Sequence, residues 1–427
     1  MTDESALRSL WRATAPPAPP EQKLLGPVHV DVLVIGGGFT GVSAALHLAQ
    51  GGAKVALVEA KAIGHGASGR NAGFVNAGMW VQPDEILARF GEDYGIRALR
   101  QLGAAPTMVF DLIRRHGIAC EATPNGTLHC AVGEKGWAEL QQREAQWRRF
   151  GADVELLSAE AAAARIGSPH FCGALLDRRC GTIQPLAYVR GLARAAAEAG
   201  AALFVHSPIL GIEDLGDAWR ARTAEGEVNA SWVLVATNAY SDALWPELRR
   251  ELVLIPYFNL ATEPLDPSVQ RAILPGREGA WDTRDVLTSI RWDKAGRLII
   301  GSFGLAAGPG AAVHESWGRR TLSKLFPVLE RVNFAHAWHG MIGLTADDMP
   351  RFHRLRRNIY TIGGFNGRGI AAGTTYGADL AALVLGQRKP EALSLPLTEP
   401  RPLAFRRGQE AFYGLGAALF HGLDARF

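Results

Sequence analysis

Short apolar runs alternate with amphipathic segments near the start of the chain. Residues 29–35 (HVDVLVI) and 54–60 (KVALVEA) are rich in Val, a pattern typical of strands buried on both faces of a parallel sheet. Between them, residues 42–50 (VSAALHLAQ) have helical periodicity, and two glycines at 51–52 end that helix. The order of strand, helix and strand predicts a βαβ unit.

The same reading predicts the elements farther along the chain. Helical periodicity predicts helices within 83–165, at 185–199, at 320–330 and in a basic, aromatic, amphipathic tail. Period-two or wholly apolar runs predict strands at 126–132, 201–215, 219–224, 231–239 and repeatedly within 252–303. Residues 358–386 predict a strand, a glycine-rich turn and a helix. Helices and strands are therefore both predicted along the whole length of the chain.

Composition narrows the class of protein without indicating a function. The net charge of +3 over 427 residues is too small to indicate nucleic-acid binding, so no nucleic-acid partner is expected. The four cysteines lack the spacing of a zinc site or a redox motif, so free thiols and no metal site are predicted. The chain contains no run of about 18 apolar residues, so no transmembrane segment is predicted. Without the apolar run of a signal peptide, a cytoplasmic location is expected.

A glycine motif separates the first strand from the first helix. Gly36, Gly38 and Gly41 form G-x-G-x-x-G around Phe39 and Thr40. The glycines allow a tight turn, a close approach of pyrophosphate to the backbone, and close packing of helix on strand. The second strand ends at Glu59, whose carboxylate can accept hydrogen bonds from a ribose and disfavours a 2′-phosphate. The motif predicts a dinucleotide but does not separate NAD from FAD.

A second block of small and polar residues follows this unit and carries a family resemblance. Residues 66–75 (GASGRNAGFV) resemble the cofactor loop of the D-amino acid oxidase and glycine oxidase superfamily of FAD enzymes. The chain is most similar to the γ-glutamylputrescine oxidoreductase-like branch, with Ala72 replacing the first of two glycines. The resemblance extends to ATNAYS (236–241), TSIRWDKAGRLIIGS (288–302), WHGMIGLTADDMP (338–350) and GGFNGRGIAAG (363–373).

The resemblance implies an α/β fold, α+β overall. A Rossmann-like FAD-binding domain is interleaved with a substrate domain built on an antiparallel sheet with helices. The predicted FAD-binding segments are 28–82, 182–245 and 336–390, the predicted substrate segments are 83–181 and 246–335, and residues 1–27 and 391–427 are an N-terminal arm and a tail helix.

The resemblance also implies which residues hold FAD, without a covalent bond. The glycine motif and the acid at the second strand would contact the dinucleotide, and the family's later loops would contact its adenine and its ring. The predicted cofactor residues are Gly36, Gly38, Phe39, Thr40, Gly41, Glu59, Ala60, Ser68, Arg70, Asn71, Ala72, Val205, Ala236, Thr237, Gly340, Gly364, Asn366, Gly367, Arg368, Gly369 and Ile370.

The chemistry that the resemblance implies is oxidation of a C–N bond. A hydride passes from the carbon beside an unprotonated amine to the flavin, and water hydrolyses the resulting imine. Glycine oxidase-like members carry an arginine after the Trp-x-Gly segment that clamps the substrate's α-carboxylate, and Ile342 stands there in this chain. Because a buried carboxylate needs a partner, an amine that lacks an α-carboxylate is the predicted substrate.

Four residues are the catalytic-site candidates. His339 would orient the substrate or assist amine deprotonation, with a structural histidine as the alternative. Arg291 would bind a remote carboxylate, with an exposed strand arginine as the alternative. Trp338 and Tyr257, together with Phe303, would form an aromatic wall for a cation, with ordinary core packing as the alternative.

The electron acceptor and two other functions stay open from the sequence. Residues 297–304 (RLIIGSFG) contain no lysine of the kind that helps oxygen react in some secondary-amine oxidases, so oxygen and a quinone are both retained as acceptors. A D-amino acid oxidase, or a dehydrogenase whose tail touches the inner face of the membrane, is one alternative. A tRNA-modifying FAD oxidoreductase is the other. The oligomeric state is not predicted.

Overall fold

The computed structural model describes residues 9–241, 244–308 and 310–424. Eleven α-helices lie within these residues, and the third is bent at Gly91, where φ is +70°. The helices are α1 (Leu10–Thr14), α2 (Phe39–Gln50), α3 (Pro83–Arg115), α4 (Gly133–Arg148), α5 (Ala159–Ile166), α6 (Pro185–Glu198), α7 (Pro246–Arg250), α8 (Pro267–Ala272), α9 (Gly310–Leu325), α10 (Gly369–Val384) and α11 (Arg406–Leu423).

Nineteen strands lie within the same described residues. They are β1 (Gly26–Ile35), β2 (Val55–Val58), β3 (Phe74–Val75), β4 (Thr127–Cys130), β5 (Val154–Ser158), β6 (Gly173–Asp177), β7 (Gly181–Thr182), β8 (Ala202–Phe204), β9 (Gly211–Asp214), β10 (Trp219–Arg222), β11 (Gly226–Val235), β12 (Val253–Thr262), β13 (Gly279–Asp282), β14 (Ser289–Trp292), β15 (Leu298–Phe303), β16 (Phe334–Leu344), β17 (Arg351–Arg356), β18 (Ile359–Gly363) and β19 (Leu397–Thr398).

The first sheet has the predicted dinucleotide-binding form. Its order is β19-β17-β18-β11-β1-β2-β8, with β10 and β9 added beside β11. The central pairs β18-β11, β11-β1, β1-β2 and β2-β8 are all parallel. Strand β2 and the last four residues of β1 are fully buried because their Val and Leu side chains lie between layers. Helix α10 packs against α2 on one face.

The second sheet is mostly antiparallel and lies beside the first. Its order is β16-β12-β15-β14-β13-β4-β6-β5, in which only β13 and β4 run parallel. The α/β fold with an interleaved antiparallel sheet is therefore confirmed. A two-stranded sheet, β3 with β7, follows the 66–73 loop. None of the described helices is both long and apolar enough to cross a membrane.

Strand register divides the second sheet into two distinct faces. Side chains alternate along a strand and directly paired residues share a face. The inner face carries the row Trp338, Asn259, Gly301, Ser289, Trp281 and His129. The outer face carries Phe258, Ile290 and Ile300, which form a core with Trp317 of α9. Only the inner face meets the cofactor loop.

The sheet pairing changes two of the boundaries expected from sequence. The expected boundary at residue 336 falls inside β16, which pairs with β12 over its length, so residues 334–344 belong with the second sheet. Likewise β19, at the start of the expected tail helix, pairs with β17 in the first sheet. The helix expected at 320–330 instead begins at Gly310 and ends at Leu325. Residues 1–8 of the arm and 425–427 of the tail lie outside the described residues.

Candidate cofactor and substrate site

The turn after β1 is closed so tightly that it needs glycine. Gly36 has a φ of +112°, and a Cβ there would lie 2.8 Å from the carbonyl oxygen of Ala236. A Cβ on Gly41 would lie 2.0 Å from the carbonyl oxygen of Gly36. Helix α2 therefore starts directly against the end of the strand, where its N–H groups face whatever lies above the turn.

The first turn of α2 is an open anion-binding end. Its N-cap is Gly38, which provides no side-chain cap, and the N–H of Phe39 donates to Ser68 Oγ at 3.0 Å. The first N–H groups of a helix have no partner within the helix, and the helix dipole favours negative charge there. Thr40 and Gly41 complete this turn. The end is suited to a pyrophosphate.

Glu59 stands at the end of β2 with its carboxylate held in place. Oε2 accepts from the Gly37 N–H at 2.7 Å, and Oε1 accepts from the Lys61 N–H at 2.8 Å. Burial raises the pKa of Glu59, and the backbone hydrogen bonds from Gly37, Lys61 and Ala60 oppose that rise. A carboxylate has further acceptor positions, so this arrangement still accepts the hydroxyls of a ribose.

The 66–73 loop is shaped by its own polar groups. Asn71 Nδ2 donates to the carbonyls of Ala67 and Ser68, and Asn71 Oδ1 accepts from the Gly73 N–H. Arg70 Nε donates to the His65 carbonyl at 2.9 Å. The Asn71 amide, predicted to contact FAD, is thus used to hold the loop, which leaves Ser68 as its exposed hydroxyl donor toward a phosphate.

The loop after β18 is organised in the same way by Asn366. Its Oδ1 accepts from the Thr345 N–H at 2.8 Å, and its Nδ2 donates to the Gly364 carbonyl at 2.6 Å. Gly364 and Gly367 have positive φ values of +72° and +83°. These contacts position Gly369 and Ile370, which begin α10, so the N-terminus of a second helix faces the loop.

Two other segments predicted to contact the cofactor have different surroundings. Ala236 and Thr237 follow β11 next to Gly36, as the prediction requires. Val205, predicted to contact the adenine through its backbone, donates its N–H to the carbonyl of Gln22 at 2.8 Å, and its carbonyl accepts from Ser207. In this structure Val205 therefore offers no spare backbone donor, because the N-terminal arm lies across it.

The inner face of the second sheet contacts the 66–73 loop directly. Trp338 Nε1 and Asn259 Nδ2 both donate to the Arg70 carbonyl, at 3.0 Å and 3.2 Å. A Cβ on Gly340 would lie 3.0 Å from Arg70 Cβ, so a glycine is needed for this approach. Trp338 is completely buried. Its geometry is that of a support for the loop rather than of a substrate wall.

The other three substrate candidates occupy unlike environments. His339 pairs with Phe258 and so lies on the outer face, opposite to Trp338 and Gly340. Arg291 is only 2% exposed and donates to the carbonyls of Gly73 and Ile183, so it is not an exposed strand arginine. Tyr257 is half-buried on the inner face, with its hydroxyl 2.7 Å from Ser289 Oγ. On the inner face, Tyr257 and Phe303 keep a partly accessible aromatic surface.

Sequence reasoning missed three tryptophans of this region. Trp11, in the arm that was expected to be polar, is completely buried and donates to the Asn71 carbonyl at 2.8 Å. Trp80 and Trp281 lie close to Arg368, with ring centroids 4.4 Å and 5.7 Å from its guanidinium carbon. The pair Leu10-Trp11 within a Pro-rich, charged segment was the available signal for the arm.

The residues present fit a bound dinucleotide with a ring system between the two sheets. The glycine cradle, the open end of α2, the held carboxylate of Glu59 and the end of α10 supply the donors and acceptors that such a group needs. The fit rests on the close approach at Gly36 and Gly41, where any Cβ would fill the cradle.

Comparisons with known proteins agree with this geometry. The family described as "DAO: FAD dependent oxidoreductase" matches residues 31–383. γ-Glutamylputrescine oxidoreductase of Escherichia coli (strain K12) is 34% identical over 396 residues, which cover 90% of each chain. The probable oxidoreductase OrdL of Rhizobium meliloti (strain 1021) is 33% identical, covering 89% of this chain and 88% of its own.

Solved structures show the same fold at lower identity. The crystal structure of glycine oxidase from Geobacillus kaustophilus superposes with a TM-score of 0.68 at 21% identity. The match covers 85% of this chain and 96% of the glycine oxidase chain.

Proposed function

Because the chain belongs to the DAO family of FAD-dependent oxidoreductases, we propose that it oxidises a C–N bond of an amine that lacks an α-carboxylate. Its similarity to γ-glutamylputrescine oxidoreductase favours a γ-glutamylputrescine-like compound as the substrate. When bound, FAD would accept the hydride that leaves the carbon beside the amine. Water would then hydrolyse the imine to a carbonyl compound and a free amine.

The observation that carries this proposal is the position of Ile342. It lies on the inner face, two residues after Gly340, and its Cδ1 would be 3.4 Å from a Cβ on Gly367. The side chain therefore contacts the loop that leads into α10. A carboxylate placed there would meet an aliphatic group instead of a cation, and burial without a partner would be costly.

Arg291 does not replace the missing clamp. Its Nη1 donates to the Ile183 carbonyl at 2.5 Å and to the Gly73 carbonyl at 3.2 Å, and its Nε donates to the Trp292 carbonyl at 3.1 Å. Backbone carbonyl oxygens thus accept the hydrogen bonds of Nε and Nη1 of this guanidinium. The remaining inner-face surface near Ile342 is aromatic, from Tyr257 and Phe303, whose rings meet edge to face at 5.6 Å.

Tyr257 is the residue that we propose to orient the amine. Burial raises the pKa of its phenol, so the hydroxyl stays neutral and can both donate and accept a hydrogen bond. Its partner Ser289 fixes the hydroxyl at 2.7 Å. A neutral phenol beside a low-dielectric surface favours the unprotonated amine that C–N oxidation needs. His339, on the outer face, is not assigned a step.

The test of this proposal is reduction of the bound flavin in the absence of oxygen. The panel contains γ-glutamylputrescine, putrescine, N-methyl amines, glycine and D- and L-amino acids. We expect bleaching of the flavin by amines without an α-carboxylate. Bleaching by α-amino acids alone would contradict the proposal and favour the D-amino acid oxidase or dehydrogenase alternative. Readmission of air would then separate oxygen from a quinone as the acceptor.

A membrane contact is favoured by the surface of α11. Four large apolar residues form its outward stripe, and they are 65–72% exposed: Phe412, Leu415, Leu419 and Leu423. The opposite side of the helix is fixed to the protein by Ala417 and His421. Exposed Arg401 and Arg407 flank the stripe at its N-terminal end. An apolar stripe with flanking cations suits an anionic lipid surface, where a quinone would be the acceptor.

Vesicle binding tests this contact separately from the chemistry. We expect the protein to sediment with phosphatidylglycerol vesicles but much less with phosphatidylcholine vesicles. The double variant Leu415→Ser and Leu419→Ser should stay in the supernatant while retaining FAD. Equal binding to both vesicles, or loss of an oligomer in the variant without any vesicle effect, would overturn the membrane assignment.

A further inference from the structure

Arg368 lies at the start of α10 and is almost entirely buried. It is the N-cap residue of that helix, directly between Gly367 and Gly369, and only 8% of its surface is exposed. Its Nη1 donates to the Ala77 carbonyl at 2.9 Å. Within the described residues that is the single hydrogen bond of the guanidinium, and its buried Nε has no acceptor. The guanidinium therefore keeps donors that the protein does not use.

Two indoles lie close to this guanidinium. The Trp80 ring centroid is 4.4 Å from the guanidinium carbon, and Trp80 is itself held by a hydrogen bond from its Nε1 to the Asn366 carbonyl at 2.5 Å. The Trp281 ring centroid is 5.7 Å from the same carbon. Its buried Nε1 has no acceptor among the residues that the structure describes. Two unsatisfied N–H donors, one of them cationic, thus share one region.

The charge around Arg368 is positive and is not balanced locally. In the described part of the chain Arg368 forms no ion pair, and Asp177, whose charge acts on it, is bound by Arg179 at 2.6 Å. Arg143 is also buried and donates to the Trp80 carbonyl. Burial together with the charge of Arg143 lowers the pKa of Arg368 to about 9. His129, stacked on Trp281 at 5.2 Å, is held neutral by burial.

Such an arrangement is costly unless an anion completes it. An isolated buried cation loses hydration that only a paired anion and hydrogen bonds can replace. Carboxylates match the planar fork of a guanidinium, and an indole N–H is a further donor to the same group. The two neighbouring indoles and the Ala77 carbonyl restrict the fork, which reduces the entropy lost when an anion binds.

We propose that Arg368, assisted by the indole N–H of Trp281, binds a substrate carboxylate that is remote from the oxidised amine. This inference rests on the proposed amine oxidation and names the second recognition element of its substrate. A Cβ on Gly367, the neighbour of Arg368, would lie 3.4 Å from Ile342 Cδ1, so the anion site adjoins the place that lacks an α-carboxylate clamp. The substrate is therefore an amine at one end and a carboxylate at the other, and simple polyamines bind poorly.

The first test compares a carboxylate substrate with its neutral ester. For the native protein and Arg368→Gln, KM and kcat are measured with γ-glutamylputrescine and with its methyl ester. We expect the variant to raise KM for the acid by about 30-fold, the loss of one charged hydrogen-bonded contact. KM for the ester should change by less than about 3-fold. Arg368→Lys keeps the charge but loses the fork, so its KM for the acid should lie between that of the native protein and that of Arg368→Gln.

A binding measurement gives a readout that does not depend on turnover. Tryptophan fluorescence reports the binding of glutarate, with uncharged glutaramide as the matched ligand. Trp281→Phe should weaken glutarate by about 5-fold by removing one N–H donor. Arg319→Gln, at an exposed ion pair with Glu315 on α9, is the control and should change nothing.

The outcomes separate this inference from the proposed function. If amines reduce the flavin but Arg368→Gln weakens acid and ester equally, the carboxylate assignment is wrong while amine oxidation stands. If Arg368→Gln only lowers FAD content or shifts the flavin potential, the residue serves the cofactor and the inference is overturned. Failure of every amine to reduce the flavin would instead overturn the proposed function, and glutarate binding would still test the anion site.

Discussion

Two buried arginines, Arg291 and Arg368, both donate to backbone carbonyls of the 72–77 segment and differ in what surrounds them. Arg291 donates to carbonyls on either side of the 72–73 turn and at residue 183, and Trp11 lies 5.4 Å from its guanidinium carbon. Arg368 meets a single carbonyl and keeps donors without partners. A buried cation that donates to several backbone carbonyls holds a fold together. A buried cation with unused donors marks a place for a ligand.

The largest effect is expected at Arg291, whose guanidinium donates to several backbone carbonyls. Arg291→Met removes the guanidinium donor from the Ile183 carbonyl and leaves the Gly73 carbonyl with the Ile183 N–H alone, so we expect a loss of about 3–5 kcal/mol in the free energy of unfolding. Urea unfolding measures the loss, and the FAD content should fall with it because the 66–73 loop is released. A loss below about 1 kcal/mol would mean that Arg291 is not the support described here.

A histidine pair on the outer face extends the comparison to a second buried, titratable site. Its hydrogen bonds within the protein are complete only when both imidazoles are neutral. His314 Nδ1 lies 2.9 Å from His421 Nδ1, and His421 Nε2 lies 3.1 Å from Ser302 Oγ. Burial lowers the pKa of His314 to about 4, and burial together with the charges of His314, Arg284 and Arg320 lowers the pKa of His421 to about 3.

The folded pKa values of this pair lie below the unfolded value near 6.5, so the unfolded chain binds more protons as the pH falls. Stability from the pair is complete above about pH 6.5 and is lost toward pH 4 to 3, with a limiting slope of about 1.4 kcal/mol per pH unit for each proton. Thermal unfolding at pH 7.5, 6 and 5 measures this. His421→Phe should flatten the dependence, and an equally steep dependence in that variant would contradict the assignment.

Ser68 is intermediate between the two arginines, since it accepts one protein hydrogen bond and leaves its own proton for a ligand. Ser68→Ala removes the acceptor of the Phe39 N–H at the open end of α2. We expect FAD affinity to fall by about 1 kcal/mol, or about 5-fold, with little change in the fold. Titration of the apoprotein with FAD measures the change, and Ser158→Ala, at the N-cap of α5, is a control that should leave FAD affinity unaltered.

The smallest stability effect is expected at Arg368. Arg368→Met removes a buried cation that no anion balances, so the free energy of unfolding of the ligand-free protein should change by less than about 1 kcal/mol, or rise slightly. The same urea experiment used for Arg291→Met measures it, and glutarate should stabilise the native protein but not this variant. A loss as large as that of Arg291→Met would place Arg368 among the structural arginines.

Local pattern predicted the elements that depend on neighbours in sequence. The βαβ unit with Gly36, Gly38, Gly41 and Glu59 was read from apolar runs and glycine spacing, and the structure has it as β1, α2 and β2. Those features are set within about 35 residues, where periodicity and turn chemistry act. The family resemblance, the FAD cofactor and the oxidoreductase class are confirmed in the same way.

Contacts across the chain could not be read in this way. Trp80 and Asn366 meet only because β18 and the 66–80 segment approach the same helix end, and Trp11 is buried by residues far from the arm. No strand was predicted at 334–344, so the alternation that separates His339 from Trp338 was not applied. The catalytic roles suggested for Tyr257 and His339 stay predictions, and the geometry favours the first.

The most direct test of the account is anaerobic stopped-flow reduction of the bound flavin by γ-glutamylputrescine, putrescine and glycine. We predict reduction by γ-glutamylputrescine at far lower concentration than by putrescine, because the first carries the carboxylate that Arg368 binds, and no reduction by glycine, because Ile342 replaces the α-carboxylate clamp. Reduction by glycine but by neither amine would contradict the account.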